Sequence, residues 1–351
     1  MKKRRLVVLV AALFVSTIIG GCGKSKQVMQ LIDKAHAEYE SADYMSAVSD
    51  YTEALELTND KKDIYRELGI TYIELEMYPK AIEAFTESLH AGNGFIKAVD
   101  YDINLYLAKA YSLNGEFEKA VTIYDAVIEM KPKLLETYYE RGLAYLNLGN
   151  KTGAIEDFAK VTASDPKNID KYLDIYFAIE DAGFSDDART YLQATLDNAP
   201  ASTSDYDKGR MCYYLNDYSN ARVYLEKAKD MSKPDTILML GKTYEAINDY
   251  SYASSLYNEY LSEKGNNAGV YSQLGKCRMY LEDYEAALLA YSSGLKLDDP
   301  NWNQVLLYNE AVAYEYMLDF KTAYTKMKDY LEKYPKDENA QRELIFLASR
   351  Y

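Results

Sequence analysis

The strongest constraint on the fold of this chain is a pair of small residues, twelve positions apart, that recurs along most of its length. The second residue of the pair returns after steps of 34, 39, 34, 34, 33, 32, 34 and 36 residues, which makes nine copies. In the best-formed copy, residues 135–167, apolar residues follow helical spacing in two segments that Gly149 separates and Pro166 ends. A period near 34 that holds two helices is typical of stacked helical hairpins, because each hairpin needs neighbours to bury its apolar face.

Aromatic residues occupy three more positions in the same register. They lie three and nine residues after the first small residue and four residues after the second. Six of the seven prolines follow the second segment, where they would end its helix. The small residues let the two helices of a hairpin approach closely, with the rings on either side. The nine pairs of positions are Ala35/Ala47, Gly69/Ala81, Ala108/Ala120, Gly142/Ala154, Tyr176/Ala188, Gly209/Ala221, Gly241/Ala253, Gly275/Ala287 and Ala311/Ala323.

These columns resemble the tetratricopeptide repeat (TPR), whose pattern places a Leu-Gly pair, Tyr, Ala, Phe and Pro at these intervals. The Leu-Gly pair is present at residues 68–69, 240–241 and 274–275, and the resemblance covers residues 28–335. The resemblance implies an all-α fold, a right-handed α-solenoid of about nine TPR helical hairpins. Residues 336–351 would then form a C-terminal capping helix, since an array needs a terminal element to cover its last hairpin.

The fifth repeat departs most from the pattern. Ile179, Ser185 and Leu192 stand where Tyr, an aromatic residue and Phe are usual, and Tyr176 replaces the small residue. These departures predict either a distorted hairpin or a bend in the array.

The chain contains 37 tyrosines, which have either a structural role or a role in a stacking surface. Fourteen of them fall in the three aromatic columns, Tyr224 lies one residue before the third column, and four more lead first helices. We interpret these nineteen as core residues, each of which stabilises the fold by about 2 kcal/mol when its ring is buried. The role of the other tyrosines stays open.

The amino-terminal segment has a different character. Residues 2–5 are basic, and residues 6–19 form an apolar run that is shorter than the roughly 20 residues of a membrane-spanning helix. This pattern is typical of a secretory signal peptide. Two glycines then precede Cys22, which resembles the bacterial lipobox. The resemblance implies a lipoprotein signal peptide of residues 1–21 and lipid attachment at Cys22, followed by a short linker over residues 22–27. The alternative is an uncleaved signal anchor.

The remaining chain is strongly acidic. Without the signal peptide, 36 Lys and Arg residues face 55 Asp and Glu residues, a net charge of −19. This balance argues against binding to nucleic acid, which needs a basic surface, and against adhesion to anionic lipid head groups. We expect a protein that its lipid holds at the extracytoplasmic face of the cell membrane.

The sequence shows no catalytic or metal-binding motif. Its two histidines, His36 and His90, are not part of an H-E-x-x-H motif, and no C-x-x-C or G-x-S-x-G motif is present. Cys212 and Cys277 lie two repeats apart, too far for a disulfide, and are interpreted as small core residues. We expect no enzymatic activity and no cofactor.

In the TPR family the first helix of each hairpin lines a concave groove, and the resemblance implies that the residue after the small position faces this groove. Repeats three to five would place an apolar zone there, and repeats six to eight would add three cations in register. The hypothesis is that a protein or an extended peptide binds both zones. The alternative is that the apolar residues pack between hairpins and the cations pair with neighbours such as Glu245. The predicted groove residues are Leu105, Lys109, Tyr139, Leu143, Leu146, Leu173, Phe177, Tyr206, Arg210, Lys242 and Lys276.

These features predict a membrane-anchored extracytoplasmic TPR scaffold that binds a protein or peptide. A role in envelope assembly or secretion follows from family analogy alone. The alternative is a substrate-capture lipoprotein that serves a transporter or a cell-wall enzyme, with a glycan or peptide ligand.

Overall fold

The computed structural model describes residues 24–92, 98–230 and 232–350. Within these ranges the chain forms nineteen α-helices and no β-strand. The chain divides into two compact units, Met1–Ser164 and Asp165–Tyr351. The predicted signal peptide and the lipid-attachment residue Cys22 lie outside the described residues.

The first unit contains four helical hairpins. Each hairpin packs on the next, and the first helices of neighbouring hairpins also touch, α3 against α5 and α5 against α7. Helix α1 begins inside the segment 22–27 for which a linker was predicted. The helices are α1 (Lys24–Glu40), α2 (Tyr44–Leu57), α3 (Lys62–Glu74), α4 (Tyr78–His90), α5 (Ala98–Leu113), α6 (Phe117–Met130), α7 (Leu135–Asn147) and α8 (Lys151–Ala163).

The second unit contains five hairpins and a terminal helix that packs on the last of them. The predicted all-α array of nine hairpins with a C-terminal helix is therefore confirmed. The helices are α9 (Ile169–Asp181), α10 (Ser185–Asp197), α11 (Asp205–Tyr214), α12 (Tyr218–Lys227), α13 (Pro234–Ala246), α14 (Tyr250–Lys264), α15 (Ala268–Tyr280), α16 (Tyr284–Leu295), α17 (Asn303–Tyr316), α18 (Phe320–Lys333) and α19 (Glu338–Ala348).

The small residues are where the two helices of a hairpin meet. A Cβ atom on Gly142 would lie 2.5 Å from Cε1 of Phe158, and one on Gly69 would lie 2.6 Å from Cε1 of Phe85. The second small residue of every hairpin is an alanine with no exposed surface. The ring column and the small-residue column are thus two sides of one contact, which explains why they recur together.

Each of the nine turns between the paired helices contains one residue with positive φ. Glycine takes this place in three turns, including Gly149 with φ 74°. In that turn the Asn150 N–H donates to the Tyr145 carbonyl at 2.8 Å, which closes the end of the first helix. A side chain then caps the second helix in six hairpins, through Asp43, Asn150, Asp217, Asp249, Asp283 and Asp319.

The interpretation of nineteen tyrosines as core residues is too broad. The four tyrosines that lie four residues after the second small residue are fully buried, namely Tyr51, Tyr124, Tyr257 and Tyr291. The tyrosines that begin the second helices are only half-buried, because they lie beside the hairpin turns, where the packed layer ends.

The fifth repeat forms a hairpin of two thirteen-residue helices, like its neighbours. Tyr176 is buried at the position of the small residue, and its hydroxyl donates to the Tyr214 carbonyl at 3.2 Å. Buried Leu192 takes the place of the usual ring across the hairpin. Both helices keep a buried side chain at these positions, so the sequence departure does not disrupt the hairpin.

Candidate partner-binding surface

Three hairpins carry an ion pair between their two helices at one repeated position. The cation or acid stands directly before the first small residue, and its partner lies sixteen residues later on the second helix. The distances between the charged atoms are 2.7 Å for Lys34 and Asp50, 2.7 Å for Arg141 and Asp157, and 2.9 Å for Lys326 and Glu310. These pairs fix the rotation of the first helix and therefore the direction of its outer side chains.

Other hairpins satisfy the same two positions without opposite charges. Leu68 lies across from Ala84, and Leu240 lies across from Leu256, all of them buried. In the sixth repeat the Lys208 ammonium lies 5.9 Å from the centre of the Tyr224 ring. The aromatic and small-residue columns do not predict this column, although opposite charges at a constant spacing of sixteen residues are visible in the sequence.

In the first unit the predicted groove residues lie on α5 and α7. Leu105 and Lys109 on α5 are half-buried, as are Tyr139 and Leu143 on α7. Leu146 is buried, so it supports α7 from inside. Four of these five residues thus keep part of their side chains accessible on two neighbouring first helices.

In the second unit the predicted groove residues have different surroundings. Leu173 is buried, whereas Phe177, Tyr206 and Lys242 are half-buried. The Phe177 ring meets the Tyr214 ring edge-on, with the ring centres 4.9 Å apart. Phe177 and Tyr206 therefore present partly accessible rings on α9 and α11.

Two of the predicted cations form ion pairs. The Arg210 guanidinium lies 2.7 Å from the Asp170 carboxylate on α9 and 3.3 Å from that of Asp207. The Lys276 ammonium lies 2.7 Å from the Glu245 carboxylate on α13. For these two residues the structure shows the pairing that the alternative interpretation predicted.

Glu245 is a buried carboxylate that the fold holds in place. It accepts a hydrogen bond of 2.8 Å from the Tyr257 hydroxyl, in addition to the bond from Lys276. Burial lowers the pKa of Lys276, but the hydrogen bond to Glu245 and the charge of Glu245 outweigh it, so the pKa is raised. Lys276 thus stays charged and oriented, and an ammonium group with one bonded carboxylate has further N–H donors to offer.

The described residues hold no cluster of three or more His, Cys, Asp and Glu side chains that could bind a metal ion. Cys212 and Cys277 are buried and form no disulfide, as the core interpretation requires. Burial raises the pKa of the Cys212 thiol to about 11 and also raises that of Cys277, which makes both thiols poor nucleophiles. Among the helices that the structure describes, none has the length and apolar character needed to span a membrane.

Tetratricopeptide repeat families match a large part of the sequence. A family model described as TPR repeat matches residues 108–149, and two described as tetratricopeptide repeat match residues 135–168 and residues 32–96 and 180–235. Together these matches cover just over half of the 351 residues.

Curated proteins align along most of the chain. The chain is 25% identical to BBSome complex member BBS4 of Bos taurus over 316 residues, which are 88% of this chain and 59% of that protein. It is 24% identical to the Hsp70-Hsp90 organizing protein of Triticum aestivum over 279 residues, 78% of this chain and 41% of that protein. The chain spans only about half the length of the curated relatives it matches.

Among solved structures, yeast Tom70 superimposes on 93% of this chain and 88% of its own, with a TM-score of 0.50 and 16% identity. At this identity the likeness shows the fold alone.

Proposed function

The chain belongs to the tetratricopeptide repeat family, and from that membership we propose that it is a non-catalytic scaffold that holds a protein or an extended peptide against its first helices. The observation that supports this most is the set of partly accessible apolar and aromatic side chains that stand in register on neighbouring first helices. Leu105, Tyr139 and Leu143 form this set in the first unit, and Phe177 and Tyr206 in the second.

The ion pairs of Arg210 and Lys276 bear on which ligand groups these cations could bind. Because Arg210 and Lys276 are neutralised by carboxylates on the neighbouring repeat, an acidic ligand group would have to compete with Asp170 or Glu245. Their remaining N–H groups instead suit neutral acceptors. The backbone carbonyls of an extended peptide are acceptors of this kind.

We further propose that the protein is anchored to the extracytoplasmic face of the cell membrane by lipid on Cys22. The support for this proposal is the basic start, the apolar run of residues 6–19 and the two glycines before Cys22. An anchored array in that compartment suits envelope assembly or secretion.

Affinity purification of the protein from detergent-solubilised membranes tests the scaffold against the substrate-capture alternative. A stable complex with another protein supports the scaffold. Purification of the chain without a protein partner, together with a rise in its melting temperature when a cell-wall glycan or a free peptide is added, contradicts the scaffold and supports capture.

A further inference from the structure

Four tyrosines form a row along the edge where the hairpin turns of the second unit lie. Tyr250, which begins α14, stacks on Tyr280 at the end of α15, with ring centres 4.3 Å apart and planes 9° from parallel. Tyr284, which begins α16, faces Tyr316 at the end of α17 with ring centres 5.7 Å apart. Because Tyr280 and Tyr284 flank one three-residue turn, the two ring pairs continue one another across three repeats.

This tyrosine row leaves large apolar side chains exposed that the packing of the hairpins does not use. Tyr280 and Tyr316 are each 58% exposed, and Leu281 and Leu318 in the adjoining turns are exposed as well. Scattered apolar residues are ordinary on a protein surface, whereas a contiguous patch of this kind marks a place of interaction.

Leu318 is unfavourable for folding in two ways. Its side chain is 73% exposed, and its φ of 62° is a conformation in which a side chain crowds the following carbonyl. Glycine takes the same place in three turns and asparagine in two, and both suit it better; Ala42, Glu76 and Glu282 take it in the other three, so Leu318 is the only large apolar side chain at this place among the nine turns. A leucine that neither the backbone nor the core favours has a use outside the fold.

The charges around the row select a basic partner. The Asp283 carboxylate is bonded to the Arg278 guanidinium at 3.2 Å, Asp319 is exposed with the charge of Lys321 nearby, and Glu282 and Glu285 are exposed. The carboxylates of these turns outnumber the cations, which are Arg278 and Lys321.

The spacing of the rings suits one type of backbone. Neighbouring first helices pack about 8–10 Å apart, so each further hairpin presents a ring after about that distance. A polyproline II segment advances 3.1 Å per residue with three residues per turn, so its prolines return on one side after about 9 Å. Aromatic surfaces are the known recognition mode for such segments.

We propose that the tyrosine row binds an extended, proline-rich segment of a partner protein that carries lysine or arginine. Each exposed ring stacks on one proline, Leu318 packs against the next, and the carboxylates of the turns attract the cations. This surface lies at the turns and not on the outer side of the first helices, so it does not depend on the proposed function of those helices.

The test measures the affinity of the full-length protein, in detergent solution, for a fluorescent twelve-residue peptide built from four Pro-Pro-Lys triplets. A peptide of four Gly-Ser-Lys triplets has the same charge without the stiff backbone, and one of four Pro-Pro-Glu triplets reverses the charge. We expect the Pro-Pro-Lys peptide to bind at least about tenfold more tightly than either control.

Two substitutions in the tyrosine row and one control substitution outside it test whether the peptide binds to the row. Tyr280→Ser and Leu318→Asn should each weaken the binding of the Pro-Pro-Lys peptide about tenfold, as truncation of an aromatic or apolar anchor does. Leu289→Gln is the matched control, because Leu289 is 68% exposed on α16 outside the row, and it should leave the affinity unchanged. Leu318→Asn should not lower the melting temperature, since asparagine already occupies this place at Asn216 and Asn248.

Several results would overturn the proposal. These are equal affinity for the three peptides, an affinity that Leu318→Asn and Tyr280→Ser leave unchanged, or tyrosine quenching by chitin oligosaccharides or lipid vesicles in place of the peptide. Self-association that Leu318→Asn abolishes would assign the row to a second copy of the chain. Because every readout uses defined probes, failure here leaves the first-helix proposal intact.

Discussion

At the scale of single residues, Asp157 carries the charge of the first unit that most needs a partner, because it is buried. Its side chain is 2% exposed, and Arg141 donates two hydrogen bonds of 2.7 Å to its carboxylate oxygens. The hydrogen bonds to Asp157 and the one to Asp125 outweigh burial and raise the pKa of Arg141 above its ordinary value. Because a buried ion without a partner is costly, the pair makes this hairpin depend on two residues at once.

Arg141→Leu should lower the free energy of unfolding by about 3 kcal/mol, because it leaves the buried Asp157 carboxylate with only the exposed Lys160 ammonium, 3.8 Å away. The double substitution Arg141→Leu and Asp157→Ala copies the buried Leu68 and Ala84 of the second repeat and should regain most of this loss. Urea unfolding of the three proteins measures the difference. A single variant as stable as the wild type, or a double variant no better than the single one, would contradict the account.

Some contacts between residues can be predicted from the sequence, and others cannot. The pairs at a spacing of sixteen, such as Arg141 and Asp157, lie within one hairpin, so the repeat register predicts them once it is applied to charges. Lys276 and Glu245 are 31 residues apart and lie on different hairpins, so their contact depends on how two first helices face each other. No local pattern encodes that angle, which is why the sequence left the pairing of the cations open.

At the scale of elements, the terminal helix α19 is held by a contact that changes with pH. The pKa of Glu315 on α17 is raised to about 7. The main cause is burial, and the second is a hydrogen bond with the carboxyl group of Glu343 on α19. At the start of this helix, the Tyr330 hydroxyl donates to the Asp337 cap at 2.6 Å. This bond lowers the pKa of the Asp337 carboxyl group, so the cap stays ionised.

The docking of α19 should weaken as pH rises from 5 to 8. A carboxyl group whose pKa is raised on folding keeps a proton that the unfolded chain has lost, so its contribution to stability disappears as pH rises through the folded pKa of about 7. Glu315→Gln should therefore stabilise the protein at pH 8 and change its stability little at pH 5. Melting temperatures and hydrogen exchange of the α19 amides measure this; an equal effect at both pH values would contradict it.

The elements themselves follow closely from the sequence. The alanine and ring columns located all nine hairpins, because a close approach of two helices needs a small residue opposite a large one. The fifth repeat shows the limit of that rule, since Tyr176 and Leu192 depart from it and are nevertheless both buried. The half-buried tyrosines at the turns show a second limit. A repeated position predicts where a ring stands within the repeat, but it does not predict how deeply the ring is buried.

At the scale of the whole molecule, the chain is acidic, with a net charge of −15. An acidic array gains nothing from an anionic membrane surface, so the proposed lipid on Cys22 would supply the attachment alone.

Cys22→Ser should release the protein from the membrane fraction and abolish its labelling by a palmitate analogue, since the thiol is the proposed attachment point. Cell fractionation and metabolic labelling measure the two effects. Buried Cys212→Ala is the matched control and should change neither. A Cys22→Ser protein that stays in the membrane would favour the uncleaved signal anchor.

The most direct test of the first-helix proposal is site-specific photo-cross-linking in living cells. A photoreactive amino acid replaces Leu143 on α7 or Tyr206 on α11, and in a matched control it replaces Lys328, which is exposed on the second helix α18. We predict that both first-helix probes form an adduct with the same partner protein and that the Lys328 probe does not. Adducts from Lys328 alone, or none from either first helix, would contradict the claim that the first helices bind the partner.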